Sequence, residues 1–253
     1  MTFETYPQGK ESREKLENEI MAKPYKITFF SGLGQGGAAK QIVETAHLLA
    51  AKGHQVQIIT YDQGKAFYPV QSDIEIADIS GQGHFARLPF LDRLWSVVRL
   101  TRTLRQSRPD VVISYTTLLN LILGIVGLLF LRRRDMIFIG SERNSKLRYH
   151  ESKVWALLCR LFYKGLDGVF SNSPVACSSL QTILHLPAGR VAYLPNLLNV
   201  DYFCPPDSEA RPAGRPWTVL VPARVTPQKN QKILVPVAEY IKKNGRYCRF
   251  VLA

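Results

Sequence analysis

Little in this sequence suits metal or disulfide chemistry. Only four of its 253 residues are cysteine and five are histidine. Cys159, Cys177, Cys204 and Cys248 never stand at C-x-x-C spacing, and no histidine clusters beside them, so a zinc site is not expected. The first residues contain no apolar signal segment, and the cysteines read as reduced cytosolic thiols. A long hydrophobic run is lacking too. The longest, Leu118 to Leu131, is broken by Asn120 and falls short of the ~20 residues that cross a bilayer. It predicts a buried helix, although Arg132, Arg133 and Arg134 directly after it suit a membrane surface. Acidic residues are scarce: 20 Asp and Glu against 33 Lys and Arg leave a net charge of +13. Such a balance suits an anionic partner, whether a phosphorylated substrate, an anionic membrane surface or nucleic acid. The basic residues are spread along the chain without a nucleic-acid motif, which argues against the last. There is no repeat at solenoid spacing and no low-complexity tract.

What is present is a regular alternation of strand and helix patterns, which predicts a parallel α/β fold. Strands are expected at 26–30, 55–60, 74–79, 109–114, 136–140, 168–170, 190–194, 217–221 and 246–252. Between them lie a helix carrying Ile42, Ala46 and Leu49 and stopped by Gly53, and helices at 88–106, 118–131 and 154–163. Another runs from Pro174 to about His185, and the last carries Ile233, Leu234, Val237 and Ile241. Residues 1–23 read as a polar tail, with Met21 a natural initiator just before the first strand. Residues 24–200 form a first Rossmann-like domain, 201–214 a linker, and 215–253 the start of a second such domain.

Two strand-end loops carry the candidate chemistry. Gly32, Gly34 and Gly37 fit G-x-G-x-x-G between a strand and a helix, formally a dinucleotide fingerprint, and Asp62 ends the second strand where a ribose-binding acid would sit. Glycines there let a ligand approach the backbone at a helix N-terminus, though a turn needing glycine for packing alone gives the same pattern. This supports one reading, a nicotinamide-dependent oxidoreductase. The other loop, Val219 to Asn230, holds Arg224 and Lys229 between an apolar strand and a helix. Two fixed cations at a strand's C-terminal end suit a diphosphate, and the oxidoreductase reading leaves them without a task.

Taken together, the stretches Gly36 to Val56, Arg108 to Ile113, Val191 to Phe203 and Val219 to Asn230 resemble GT-B glycosyltransferases, of the group that includes family 4 retaining enzymes. Residues 141–144 are similar to a loop of bacterial members that build surface polysaccharides. The resemblance implies two Rossmann-like domains facing across a cleft, the first binding the acceptor and the second a nucleotide-sugar donor. It implies that Arg224 and Lys229 hold the donor diphosphate and that Gly34, Gly36 and Gly37 bring backbone amides to the substrates. Arg143, Asn144, Asn172 and Ser173 would line the acceptor side. Glu142, in the same loop, is the candidate catalytic residue, an exposed loop ion pair being the alternative; His54 reads as structural.

The resemblance further implies no metal and no cofactor, a glycan or lipid-linked acceptor, no nucleic acid, and a cytoplasmic place at the inner face of the plasma membrane. Three departures stand out. The family's E-x(7)-E acids are not found in the 253 residues, so a C-terminally truncated chain is expected. A non-catalytic acceptor-binding module is then a further reading. Ser114 and Tyr115 stand where many relatives carry histidine. Pro236 falls inside the second domain's first helix and costs a hydrogen bond unless that helix starts late.

Overall fold

The computed structural model describes residues 23–61, 66–80, 89–131, 136–143, 153–198, 217–223, 225–226 and 229–252. All of the expected tail but Lys23, the whole linker, Met21, Asp62, Arg132 to Arg134, Asn144 and Arg224 lie outside these. The chain divides into two compact units, Met1–Leu198 and Asn199–Ala253.

The first unit is a parallel sheet between helical layers. Its strands are β1 (Lys26–Phe30), β2 (Gln55–Thr60), β3 (Glu75–Asp78), β4 (Val111–Tyr115), β5 (Ile137–Glu142), β6 (Gly168–Ser171) and β7 (Val191–Tyr193). They lie in the order β3-β2-β1-β4-β5-β6-β7, every pair parallel. The helices are α1 (Gly37–Ala51), α2 (Pro89–Ser107), α3 (Thr117–Ile125), α4 (Lys153–Phe162) and α5 (Pro174–Leu184). The inner strands β1, β2, β4, β5 and β6 bury both faces, so their apolar runs are nearly continuous, whereas the edge strands β3 and β7 hold no buried residue. Adjacent residues feed opposite layers. Phe29 and Ile58 pack with Ile42, Val43 and Ala46 of α1. Phe30 and Ile59 pack with Leu100 and Leu104 of α2, Leu119 and Leu123 of α3, and Leu180 of α5.

The strands follow the expected alternation, with one consequential difference. β5 runs two residues further than the apolar pattern indicates and takes Ser141 and Glu142 into the sheet. The apolar run after β4 is a buried helix through Gly127, as expected. It widens into a π-helical turn, Val126–Phe130, whose last three residues are exposed. Among the described residues no helix is long and apolar enough to cross a membrane.

Two aspartates pin the opposite, N-terminal edge of the sheet. Asp110 accepts from Lys26 N at 2.7 Å and Asp167 from Phe138 N at 2.8 Å, closing strand starts that have no ladder partner there. His54 has the structural role expected of it: it is buried, and its Nδ1 accepts from Tyr25 N at 3.2 Å.

The second unit is a parallel pair, β8 (Trp217–Val221) and β9 (Cys248–Leu252), joined by α6 (Leu234–Lys243). A 3-10 turn, Gln231–Ile233, precedes α6. The helix therefore starts late, and Pro236 falls in its first turn, where an absent N–H breaks no helical bond. None of the unit's described residues is buried. Two strands with so little burial are marginal alone. Hydrogen exchange is therefore expected to be fast across β8 and β9 and slow across β1, β4 and β5; equal protection in both units would contradict this.

Candidate active site

The sheet order reverses between β1 and β4, which makes the crevice at their C-terminal ends the natural ligand position of the first unit. The glycine loop, residues 31–36, leaves β1 there and opens α1. Gly36 is the N-cap, with φ 155°, and no side chain caps the helix, so its first-turn amides are open to an anion. A Cβ at Gly36 or Gly37 would meet nothing within 4 Å. Side-chain crowding does not demand glycine at either position, while at Gly36 the positive φ does. Gly34 is exposed beside them.

Across the crevice β4 ends at Tyr115. Thr116, a non-glycine residue at φ 80°, turns the chain into α3. Strain of this kind concentrates at functional sites.

The Tyr115 side chain is buried, and its ring meets Phe29 and Phe170 at 6.2 and 6.0 Å between centroids. Burial pushes its hydroxyl above the usual tyrosine value, while the charge and hydrogen bond of Arg143 and a hydrogen bond with Thr45 pull it partly back.

Glu142 departs most from expectation. Its loop-exposed reading is corrected: it is the last residue of β5 and 0% exposed. The Thr117 hydroxyl lies 2.8 and 3.0 Å from its two oxygens, Tyr163 OH donates at 3.1 Å, and Arg143 N at 3.2 Å. Asn120 completes the network. Its Nδ2 donates to Ser141 O at 3.1 Å and to Tyr163 OH at 3.3 Å, and its Oδ1 accepts from Ser114 Oγ at 2.7 Å. A buried carboxylate needs such donors, and the cooperative chain from Asn120 through Tyr163 supplies them. Sequence reading missed Thr117, Asn120 and Tyr163; the one available signal was a lone asparagine in an apolar run.

Glu142 also acts on its neighbour Cys159. Burial, and secondarily the Glu142 charge, push that thiol up to about 12 from an ordinary value of 9.0. The native thiol keeps its proton where the unfolded thiol loses it. Stability from this group is thus full below about pH 9 and is lost as pH rises toward 12. Cys159→Ala should flatten the alkaline limb of a denaturation profile between pH 8 and 10. Cys159 should also resist thiol reagents until the protein unfolds; rapid native labelling would contradict the assignment.

The other candidates of this unit gather at the same sheet edge. Arg143 follows β5, its guanidinium carbon 4.8 Å from the Tyr115 ring centroid and 5.9 Å from that of Phe170. Its Nη1 donates to Asn196 Oδ1 at 2.5 Å, and Asn172 Nδ2 donates to the same oxygen at 3.3 Å. Ser173 is the N-cap of α5. Gln41 of α1 binds both backbone groups of Leu197, at 2.8 and 2.6 Å, and so fixes the segment carrying Asn196. Asn196, a residue of the third family-like stretch, was not singled out from sequence.

In the second unit, Lys229 is exposed ahead of the 3-10 turn and its N donates to Thr226 O at 3.0 Å. Asn230 follows in the left-handed region, φ 49°, and Gln231 Nε2 reaches Ala223 O at 3.3 Å, tying the helix start to the end of β8. The unit's apolar groove, lined by Leu234, Ala238, Phe250 and Leu252, is the uncovered face between α6 and β9; it does not include Lys229.

The family model Glycosyltransferase Family 4 matches residues 35–202. The chain belongs to this family. The nicotinamide reading of its glycine loop therefore gives way to the glycosyltransferase one.

A Campylobacter jejuni protein, GalNAc-alpha-(1->4)-GalNAc-alpha-(1->3)-diNAcBac-PP-undecaprenol alpha-1,4-N-acetyl-D-galactosaminyltransferase, is 29% identical over 149 residues, covering 57% of this chain and 39% of its own. Two solved structures share the fold. The lipopolysaccharide outer core galactosyltransferase WaaB matches with TM-score 0.62 and 15% identity, covering 90% of this chain and 60% of its own. Anabaena HepE in complex with UDP matches with TM-score 0.60 and 12% identity, covering 90% and 69%. The chain thus spans about two fifths of the relative from Campylobacter and three fifths of WaaB.

Because nothing crowds Gly37, Gly37→Ala in this family member should fold normally, with stability unchanged or raised by about 0.5 kcal/mol. If the loop serves a ligand, the added methyl should still lower turnover at least about tenfold. Full activity in that variant would remove the loop from the site.

Proposed function

We propose that the protein transfers a sugar from a nucleoside-diphosphate donor to a glycan or lipid-linked acceptor in the assembly of cell-surface polysaccharide. The family match over residues 35–202 carries this reading. The Campylobacter relative is named for a lipid-diphosphate-linked glycan acceptor, and HepE is bound to UDP, which supports both substrate classes.

Arg224 and Lys229 are assigned to the donor diphosphate. Their charges stabilise the leaving nucleoside diphosphate as the glycosidic bond breaks, and the reading requires no metal or cofactor. Gly36 and Gly37 present open backbone amides to substrate, and Arg143, Asn172 and Ser173 serve the acceptor. The anomeric configuration of the donor sugar is kept in the product.

Glu142 is assigned as a positioning residue, because its carboxylate is buried and saturated by donors. Glu142→Gln should therefore lower stability more than it alters the pH dependence of turnover. The transfer reaction is tested by acceptor-dependent release of nucleoside diphosphate from a panel of nucleotide-sugars, followed by proton NMR of the product's anomeric coupling. No release with any donor would refute the reading, and an inverted product would refute retention.

The same reading places the protein against the inner face of an anionic membrane. Helix α4 supports it. Val154, Leu157 and Leu161 are 67, 63 and 47% exposed along one stripe, flanked by exposed Lys153 and Arg160. An apolar stripe with basic flanks suits the headgroup boundary. Leu157→Glu should cut sedimentation with phosphatidylglycerol vesicles several-fold and leave folding intact; unchanged sedimentation would remove α4 from the membrane face.

A further inference from the structure

Arg143 is a half-buried cation. Among the described residues no carboxylate pairs with it. The neighbouring Glu142 carboxylate accepts from the Thr117 and Tyr163 hydroxyls and from Arg143 N, and it forms no ion pair with the Arg143 guanidinium. Burying a cation without an anion is costly, yet this one is held in place. Two aromatic rings lie against its guanidinium, and Asn196 Oδ1 receives both Arg143 Nη1 and Asn172 Nδ2. A neutral amide oxygen thus sits where two donors converge, the geometry that holds a phosphate oxygen more strongly.

Further unused donors lie close in the chain. Arg143 Nε and Ser171 Oγ are buried without a hydrogen-bond partner among the described residues. Helix α5 begins at Pro174, and the Ser173 side chain makes no capping bond, so the first-turn amides remain open.

We propose that Arg143 and Asn172, with the open first turn of α5, bind a phosphate or diphosphate group carried by the acceptor. This rests on the glycosyltransferase reading and narrows its acceptor to a phosphate-linked molecule. The donor's diphosphate offers the same chemistry, but in that reading Arg224 and Lys229 take it and leave Arg143 without a donor role.

The test is equilibrium dialysis of the full-length gene product with radiolabelled pyrophosphate. It is done in an Arg224→Ala, Lys229→Ala background, so that the assigned donor cations contribute nothing. Binding of one pyrophosphate per chain is expected, weakened at least about tenfold by Arg143→Gln and less by Arg143→Lys, which keeps the charge but loses the fork. Asn172→Ala, expected to weaken binding about threefold, carries the test if Arg143→Gln does not fold.

Farnesyl diphosphate should displace the label, whereas UDP should not. Displacement by UDP would give the site to the donor and overturn the acceptor assignment. A lowered melting temperature in Arg143→Gln with pyrophosphate binding unchanged would make Arg143 structural and overturn the proposal, as would no binding in the unsubstituted background. UDP binding to the wild type is measured alongside: its absence would count against the glycosyltransferase reading and leave the pyrophosphate result to stand by itself.

Discussion

Arg224→Ala and Lys229→Ala should each lower turnover about a hundredfold, and together about a thousandfold, when assayed with the physiological nucleotide-sugar. The estimate follows from what one preorganised donor to a developing negative charge is worth, on the order of 3 kcal/mol in a site shielded from water. Both kcat and KM should change. The diphosphate exists in the bound donor, so part of each contact is ground-state binding; its charge grows as the sugar leaves, so part is realised only in the transition state. Lys229 is exposed and carries no packing burden, so Lys229→Ala should leave the melting temperature within about a degree. Lys229→Arg should recover more activity than Lys229→Gln, because charge at that point is what the leaving group needs. Equal turnover in wild type and double variant would remove this loop from the donor site.

The second large effect is structural. Gly165→Ala should destabilise the protein by about 3 kcal/mol or more, a large share of the roughly 5–15 kcal/mol of a chain of ordinary stability. A Cβ built at Gly165 would lie 2.0 Å from the Gly124 carbonyl oxygen and 3.0 Å from Leu128 N. The reciprocal crowding holds for Gly124, whose Cβ would lie 2.2 Å from the Phe162 carbonyl oxygen. Both obstacles are backbone, which a rotamer change cannot relieve.

Two helical segments therefore cross at glycine contact. The crossing brings Tyr163, in the 3-10 turn Tyr163–Gly165 that follows α4, against α3, where it donates to Glu142 and accepts from Asn120. Gly165→Ala should thus also disturb the buried network under the sheet edge. Gly37→Ala, with nothing within 4 Å, is the matched control. Similar melting temperatures for the two variants would contradict the close crossing.

The architecture was legible because a parallel sheet buried on both faces imposes continuous apolar strands separated by amphipathic helices. Lys26–Phe30 and Gln55–Thr60 could hardly be anything else. β5 shows where that logic stops. Apolar pattern ends at Gly140, yet pairing continues through Ser141 and Glu142. Asn120 satisfies Ser141 O, and Thr117 and Tyr163 satisfy the Glu142 carboxylate, all three brought from two other elements. Those contacts are long-range, and no local pattern encodes them.

The residues expected on the acceptor side were legible as strand-end positions, since loops after parallel strands share one edge. Their convergence was not, because Arg143, Asn172 and Asn196 meet only once β5, β6 and the segment after β7 are side by side. The π-helical turn was equally hidden, as an apolar run reads alike whichever helical register it adopts. Pro236 could be read either way until the 3-10 turn at Gln231–Ile233 placed it in a first turn.

The central claim is that this family member moves a sugar. The most direct measurement is the intact mass of a phosphate-linked acceptor glycan after incubation of the full-length gene product with nucleotide-sugars. The account predicts a gain of one sugar residue with one donor, lost in the Arg224→Ala, Lys229→Ala variant. An unchanged acceptor mass with every donor, from a preparation that binds pyrophosphate and is folded by calorimetry, would contradict it.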